Sequence, residues 1–356
     1  MTASSVPAQS PTPSVAPVAD RAESGGGRRA VRGAGWMIIG TKEFGDHLLS
    51  ARFIVLVVVM ALAAAVPLYF LSGQIRDAAE AASSQVPALF LALFWLTPSV
   101  NSDISLPSVV GFIGIVGPLL GLAFAFDAVN GERAEGTLPR LLSQPIHRDE
   151  VINGKFAAGL AVIGLVLLCA VAAIAAFALI RLGLVPDPSE LLRAIVWILV
   201  TFVYISLWLA FGMLLSVVVR RAATSALIGF GVWVLLTFFG RFLVSLLAGV
   251  IVAVPGTAQE QVDAINAQAN LFRLLPDTLY REASLVLLNP QSSVAQQIST
   301  PSTVGGFEQA QQQVASLLSL DQSFMFIWPQ VVGLVAITVV CFGLAYVLFM
   351  RQEVRA

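Results

Sequence analysis

The densest set of charged side chains in this otherwise apolar chain lies between Asp127 and Lys155, in the stretch DAVNGERAEGTLPRLLSQPIHRDEVINGK. The stretch holds five acidic and four basic residues and separates two runs that are apolar enough to cross a membrane. Leu138, Leu141 and Leu142 recur at the spacing that puts side chains on one face of a helix. Charges around a leucine face suit recognition of another protein, and we expect a short helix lying flat at a membrane surface.

Local signals set the ends of this predicted helix. Thr137 can cap its first turn, Pro139 suits an early helical position, and Pro145 ends it. A second helix should begin directly afterwards, with Asp149 and Glu150 in its first turn, where the helix dipole favours negative charge. An ordinary solvated loop between two spans is the alternative interpretation of the stretch.

The main enzymatic alternatives lack their sequence motifs. Gly154 and Lys155 do not form a Walker A loop, because no glycine stands five positions before Gly154, so the chain has no phosphate cradle of its own. Intramembrane proteolysis is disfavoured because HExxH is missing and neither histidine lies in an apolar run. Both cysteines, Cys169 and Cys341, lie in apolar runs and offer neither a disulfide framework nor a zinc site. We therefore expect no catalysis, no metal and no cofactor on this chain.

The charged stretch resembles a family signature. It is similar to the pattern E-R-x-x-G-T-L-x-x-L-L-x-x-P-x-x-R-x-(x)n-G-K that follows the second span of type 2 ABC transporter permeases, a family with many bacterial exporters. The ten matching residues are Glu132, Arg133, Gly136, Thr137, Leu138, Leu142, Pro145, Arg148, Gly154 and Lys155. The resemblance implies a cytoplasmic coupling helix that docks into a groove of a separate ATP-binding subunit, which would hold ATP and Mg²⁺. The expected coupling residues are the same ones, with Leu141 in place of Gly154.

Composition supports a membrane protein. Hydrophobic residues make up 57% of the chain, charged residues 12%, and the mean hydropathy is +0.86, whereas soluble proteins carry roughly a quarter charged residues. A net charge of −1 gives no indication of nucleic-acid binding, which would need a basic stripe.

Six uncharged runs reach or nearly reach the roughly 20 residues that cross a bilayer. They are Phe53 to Leu71, Val109 to Phe126, Phe156 to Ile180, Ala194 to Val219, Ala222 to Gly240 and Phe324 to Met350. The fifth span extends to about residue 246 if it continues past Arg241; otherwise Phe242 to Val254 forms a short re-entrant piece. The run from Val86 to Leu96 is too short to span and suggests an interfacial or extracellular helix.

Lysine and arginine set the orientation. With the N-terminus inside, fourteen of these residues are cytoplasmic and six are not. This count puts both termini and residues 127–155 in the cytoplasm, and residues 72–108 and 255–323 outside. The two outer segments are interpreted as lids, as partner surfaces or as solvated connections.

The N-terminal region divides into two parts. Residues 1–35, rich in Pro, Ala, Ser and Gly, suggest a disordered cytosolic tail. Trp36 to Arg52 alternates apolar and charged residues in a helical pattern, which is typical of an interfacial amphipathic helix. Its Lys42-Glu43-Phe44 triplet resembles the start of the elbow helix of the same permease family.

The resemblance covers most of residues 36–356. It implies an all-α polytopic membrane protein of six transmembrane helices, with an N-terminal elbow helix and a cytoplasmic coupling helix. It further implies a permease dimer, homodimeric or heterodimeric, that works with two ATPase subunits in the plasma (inner) membrane of a prokaryote.

The spans narrow the choice of substrate. The six runs contain no Asp, Glu, Lys, Arg or His, which a path for bare ions would normally need, and no Cys, Met or His cluster that would suit copper. Mild polarity comes from Thr201, Tyr204, Ser206, Thr237 and Gln330. We therefore expect export of a hydrophobic or amphipathic compound.

Several alternatives stay open. A sodium exporter or a metalloenzyme-maturation permease of the same family is one, and a membrane assembly factor without transport is another. An adjacent reading frame for a P-loop ATPase would favour transport. Arg241, just past the fifth run, is a candidate transport-path or outer-gate residue, with snorkelling to the outer interface as the alternative.

Overall fold

The computed structural model describes residues 35–81, 89–99, 104–137, 147–251, 258–289 and 319–352. The helices are α1 (Gly35–Leu48), α2 (Ala51–Ala81), α3 (Leu89–Trp95), α4 (Val109–Ala125), α5 (Asn130–Ala134), α6 (Arg148–Leu182), α7 (Pro188–Val218), α8 (Ala222–Val234), α9 (Gly240–Ile251), α10 (Ala258–Phe272), α11 (Pro276–Leu288) and α12 (Leu320–Arg351). Of the expected disordered tail, residues 1–34 lie outside the described residues, and Gly35 begins α1. The predicted helix around Leu138, Leu141, Leu142 and Pro145 also lies outside the described residues.

Within the part of the chain that the structure describes, six helical stretches are long and apolar enough to cross a membrane, as the sequence predicts. They are Ala51–Arg76, Val109–Ala134, Arg148–Leu182, Pro188–Val218, Ala222–Ile251 and Leu320–Arg351. Helix α6 begins well before its apolar run, at Arg148, because His147 and Glu150 form a capping box there. The backbone N–H of His147 donates to Glu150 Oε2 at 3.1 Å. Asp149 and Glu150 therefore lie in the first turn, as expected.

The fifth apolar helix passes Arg241 without a break. A π-helical segment, Leu235–Phe239, joins α8 to α9, which continues to Ile251. Of the two interpretations for the residues after Arg241, the extended span is therefore the one observed as far as Ile251. The side chain of Arg241 is exposed, two residues past the π segment.

Helix α7 is the centre of the bundle and contacts α4, α6, α11 and α12. Where it crosses α4, a Cβ atom at Gly121 would lie 2.6 Å from the Ile205 carbonyl oxygen. Gly117 contacts the Ile205 side chain one turn away. The missing side chains of these glycines let two backbones approach within the membrane.

Two helices outside the six spans are buried in the bundle. Phe90 to Leu96, in and just after α3, are at most 4% exposed. In α11 the ring of Tyr280 stacks on Tyr204 of α7, with centroids 4.5 Å apart and planes at 9°. Trp197 Nε1 donates to Ser284 Oγ at 3.0 Å. Part of the polar segment 255–323 is thus a core element, where the sequence suggested a lid, a partner surface or a solvated connection.

We call the end of the bundle that carries Glu132, Lys155 and Gln352 the signature end. The opposite end carries Arg76 and Arg181, where Arg76 Nη2 donates to the Arg181 carbonyl oxygen at 3.4 Å.

Candidate coupling site

The residues that follow α4 are fixed to the end of α7 by hydrogen bonds that each join a side chain to the main chain. Ser216 Oγ accepts from the backbone N–H groups of Val129 and Asn130, at 2.9 and 3.2 Å. The Asn130 side chain is fully buried and donates to the Val219 carbonyl oxygen at 3.2 Å. Short α5 therefore leaves the membrane helix in a fixed direction, and it carries Glu132 and Arg133.

Lys155 joins three helices through one ammonium group. Its Nζ lies 2.8 Å from Glu132 Oε1 on α5 and 3.0 Å from Glu43 Oε1 on α1. The lysine is 5% exposed. Two carboxylates around one buried ammonium satisfy the charge of Lys155, which would be costly if left unpaired. We call Lys155, Glu43 and Glu132 the ion triad.

Two arginines of the signature meet at Gln352, the residue that follows α12. Arg133 donates to the Val217 carbonyl oxygen at 3.3 Å and to Gln352 Oε1. Arg148 donates to the Gln352 carbonyl oxygen at 3.0 Å. Gln352 Nε2 in turn donates to the Val217 carbonyl oxygen at 2.9 Å. We call these four residues the arginine clamp, which ties both flanks of residues 138–146 to the ends of α7 and α12.

Three more signature residues have structural roles. Gly154 lies where α1 crosses α6, and a Cβ atom there would be 2.8 Å from the Trp36 carbonyl oxygen. Gly136 has a φ of 68°, a left-handed conformation that glycine adopts without strain. Thr137 Oγ1 donates back to the Glu132 carbonyl oxygen at 3.3 Å. These contacts shape the exit from α5 and the seat of α1.

The structure brings together Glu132, Arg133, Arg148 and Lys155 through the ion triad and the arginine clamp, while Gly136 and Thr137 close the turn after α5. Leu138, Leu141, Leu142 and Pro145 lie outside the described residues. Arg241 belongs to neither network, on α9 of the fifth apolar helix.

Sequence reasoning missed several partners. Glu43 was noted only within the Lys42-Glu43-Phe44 resemblance, and Ser216, Asn130 and Gln352 carried no signal. A further ion pair, Arg52 Nη1 to Asp127 Oδ2 at 2.6 Å, connects α2 to the turn after α4. Opposite charges at the ends of two adjacent apolar runs were the available hint for that pair.

The buried ion triad and the arginine clamp hold a short charged segment against the membrane helices. Residues 37–354 match the model of a family described as ABC-2 family transporter proteins. The chain belongs to the ABC-2 transporter family. It is a membrane permease subunit of an ABC-2 type transporter, a class of membrane subunits without an ATPase domain.

One relative of this ABC-2 permease is the probable ABC transporter permease protein NosY of Stutzerimonas stutzeri. The two are 29% identical over 172 residues, which is 45% of this chain. The matched part spans 60% of the relative's length.

Proposed function

We propose that this permease exports a hydrophobic or amphipathic compound with energy from ATP hydrolysed on a separate subunit. The signature end faces the cytoplasm, and the ATP-binding subunit docks on the segment around Leu138, Leu141 and Leu142. The observation that carries the proposal is the attachment of both flanks of this segment to membrane helices, by the ion triad and the arginine clamp.

The ion triad and the arginine clamp connect the docking segment to the membrane helices, so that movement of the docked ATP-binding subunit moves those helices. Movement of the segment at Glu132 is passed through Lys155 to Glu43 and thus to α1. Movement at Arg133 or Arg148 is passed to the ends of α7 and α12. Closure of the ATP-binding subunits then biases a two-state arrangement of the membrane helices, because these contacts differ between the states.

The proposed coupling residues fall into two groups. Lys155 is buried, so it acts by positioning Glu132 and Glu43 and not by touching the ATPase. Leu138, Leu141, Leu142 and Pro145 are the proposed docking face, on the sequence pattern alone. α1 is the proposed elbow helix at the cytoplasmic surface, since it lies beside the ion triad.

Partners follow from the family. We infer a dimer of permease subunits, identical or related, together with ATP-binding subunits that hold ATP and Mg²⁺. The prokaryotic plasma (inner) membrane is the proposed location, with both termini cytoplasmic on the fourteen-to-six distribution of basic residues.

Co-purification tests the docking proposal. Leu142→Asp puts a charge into an apolar groove, which costs several kcal/mol unless it is paired. We expect the ATP-binding subunit encoded with the permease to be lost on purification, or its activity to become independent of the permease. Leu49→Asp is the matched control, because Leu49 is 88% exposed between α1 and α2. If Leu142→Asp keeps wild-type association and coupled activity, the segment around Leu142 only connects two spans and does not dock the ATP-binding subunit.

The substrate class has its own test. The ATPase activity of the reconstituted complex should rise with amphipathic compounds and remain unchanged in gradients of sodium or copper. ATP-dependent sodium uptake into inside-out vesicles would favour the ion exporter instead.

A further inference from the structure

Helix α11 presents two ion pairs on its less buried side. Arg281 Nε donates to both carboxylate oxygens of Asp277, each at 2.9 Å. One turn away, Arg273 Nε donates to Glu282 Oε2 at 2.9 Å. The side chains of Asp277 and Arg281 are 18% and 36% exposed. The remaining faces of α11 are buried against α7 and α12.

The Asp277–Arg281 pair lies at membrane depth. Tyr280, between the two, stacks on Tyr204, whose hydroxyl donates to the Gly114 carbonyl oxygen at 2.9 Å. Gly114 is about 20 Å along α4 from Asp127 at the signature end, at the helical rise of 1.5 Å per residue. A hydrocarbon core is about 30 Å thick. The pair therefore lies in the half of the membrane farther from the signature end.

Gly114 makes room for this carboxylate. A Cβ atom at Gly114 would lie 3.2 Å from Asp277 Oδ1 and 3.5 Å from the Tyr280 ring. The second apolar helix thus has a gap in its side-chain surface where Asp277 comes against it. The sequence places no charged residue in the six apolar runs. Helix α11, which is not one of these runs, places the charged pair Asp277 and Arg281 beside α4.

The geometry of Arg281 leaves one edge available. Its Nε is used by Asp277, and no described residue bonds to its two terminal Nη atoms. A guanidinium fork matches the paired oxygens of a carboxylate or phosphate. A charged pair whose side chains are 18% and 36% exposed at this depth is poorly compatible with lipid tails, which favours a protein-lined or hydrated space beside it.

We propose that the free edge of Arg281, oriented by Asp277, binds the carboxylate or phosphate head group of the transported amphipath. The inference rests on the proposed export function and narrows its substrate to anionic amphipaths. Asp277 is a positioning residue, because both of its oxygens are taken up by Arg281. The apolar tail of the ligand occupies the surrounding membrane-level space.

Binding to the purified full chain tests the site. The chain is placed in nanodiscs of zwitterionic lipid, and dodecyl phosphate, dodecyltrimethylammonium and inorganic phosphate are titrated as probes. Dodecyl phosphate should bind saturably. Arg281→Gln should weaken it by about tenfold or more, as expected for lost hydrogen bonds between charged groups. Asp277→Asn should also weaken binding, but by less than Arg281→Gln does, because the guanidinium keeps its charge and loses the carboxylate that orients it.

Arg181→Gln is the matched control, since Arg181 is an exposed arginine near the end of α6 that takes part in neither ion pair of α11. If Arg281→Gln does not fold with Asp277 unpaired, the double variant with Asp277→Asn removes both charges and should show the same loss. Equal dodecyl phosphate binding by wild type and the arginine variants would overturn the proposal. The proposal of an amphipathic ligand would also be overturned if inorganic phosphate bound as tightly as dodecyl phosphate. Preferential binding of dodecyltrimethylammonium would overturn the proposal of an anionic ligand.

The result is separable from the export proposal. The binding measurement needs no ATP-binding subunit, whereas Leu142→Asp is scored by association and ATPase activity. Loss of coupling in Leu142→Asp should leave dodecyl phosphate binding unchanged.

Discussion

Gly154 of α6 lies so close to Trp36 of α1 that a Cβ atom at Gly154 would be 2.8 Å from the Trp36 carbonyl oxygen. Gly154→Ala should therefore push α1 away and cost about 1 to 3 kcal/mol, the usual range for overpacking. The thermal unfolding midpoint of the purified permease should fall. Gly164→Ala on the same helix is the control, because its Cβ would meet only Phe202, at 3.6 Å. A Gly154→Ala midpoint equal to that of Gly164→Ala would contradict the tight crossing.

The ion triad predicts a strong effect of removing its ammonium. Lys155→Met removes the buried cation that Glu43 and Glu132 share, and breaking a buried charge pair costs about 3 to 5 kcal/mol. Among the described residues, only the exposed Lys42, whose Nζ lies 3.8 Å from Glu43 Oε1, still pairs with either carboxylate. The triple variant with Glu43→Gln and Glu132→Gln removes all three charges and should recover most of the stability. Thermal unfolding of the single and triple variants measures the difference. Equal midpoints for both would show that the triad contributes no electrostatic stability.

The apolar spans could be predicted from sequence because an uncharged apolar run of about twenty residues is rarely found outside a membrane-spanning helix. The start of α6 was also predictable, since Asp149 and Glu150 mark a helix N-terminus. The ion triad and the clamp were not. Glu43 and Lys155 are 112 residues apart, and Arg133 and Gln352 are 219 apart, so no local pattern relates them.

Helix α11 shows a second reason why part of the fold could not be predicted from the sequence. Its surroundings are polar and interrupted by proline, which is typical of a surface segment. The signal for burial was the helical spacing of Leu279, Tyr280, Ala283, Val286 and Leu287, all of which are buried. Charged residues on the opposite side of the same helix hid this pattern, because the average hydropathy of a segment does not distinguish an apolar face from a polar one.

The surroundings of His47 predict that the stability of the packing between α1 and its neighbours depends on pH. Its ring packs edge-on against Phe124 of α4, with centroids 5.1 Å apart. Burial lowers the pKa of His47 below its ordinary value of 6.5; Lys155 and Arg52 act in the same direction, and Glu43 and Asp127 oppose it. The unfolded chain therefore takes up the proton first. The stabilising effect is complete above 6.5 and is lost as the pH falls towards the lowered pKa.

Thermal unfolding of the wild type and of His47→Gln across this range isolates the contribution. The wild type should lose more stability on acidification than the variant does, because the carboxylates titrate in both. Parallel pH profiles would assign the whole effect to other groups.

Orientation can be checked with two exposed positions. Val185, between α6 and α7, is 76% exposed, and Arg220, between α7 and α8, is exposed at the signature end. Each is replaced by cysteine in a background lacking Cys169 and Cys341. In intact cells a membrane-impermeant maleimide should label Val185→Cys and not Arg220→Cys. The reverse pattern would invert the proposed topology.

Arg241 predicts a functional effect without loss of the fold. The side chain is exposed on α9 among exposed apolar neighbours, including Phe239 and Phe242. An ionisable group in such surroundings is a functional-site hypothesis by default. Arg241→Leu should keep normal expression but reduce substrate-stimulated ATPase activity by about tenfold, if a charged hydrogen bond is lost. Arg241→Lys should retain part of the activity. Full activity in Arg241→Leu would indicate snorkelling.

The acceptors of the arginine clamp are carbonyl and amide oxygens at Val217 and Gln352. Both residues lie at the C-terminal ends of helices, where the aligned peptide dipoles concentrate partial negative charge. Arg133 and Arg148 are thus stabilised by the partial negative charge of helix ends and not by carboxylates. The ion triad, by contrast, is held by two carboxylates around one ammonium. The two attachments of the segment between α5 and α6 therefore rest on different chemistry, with ion pairs to α1 on one side and helix-end oxygens of α7 and α12 on the other.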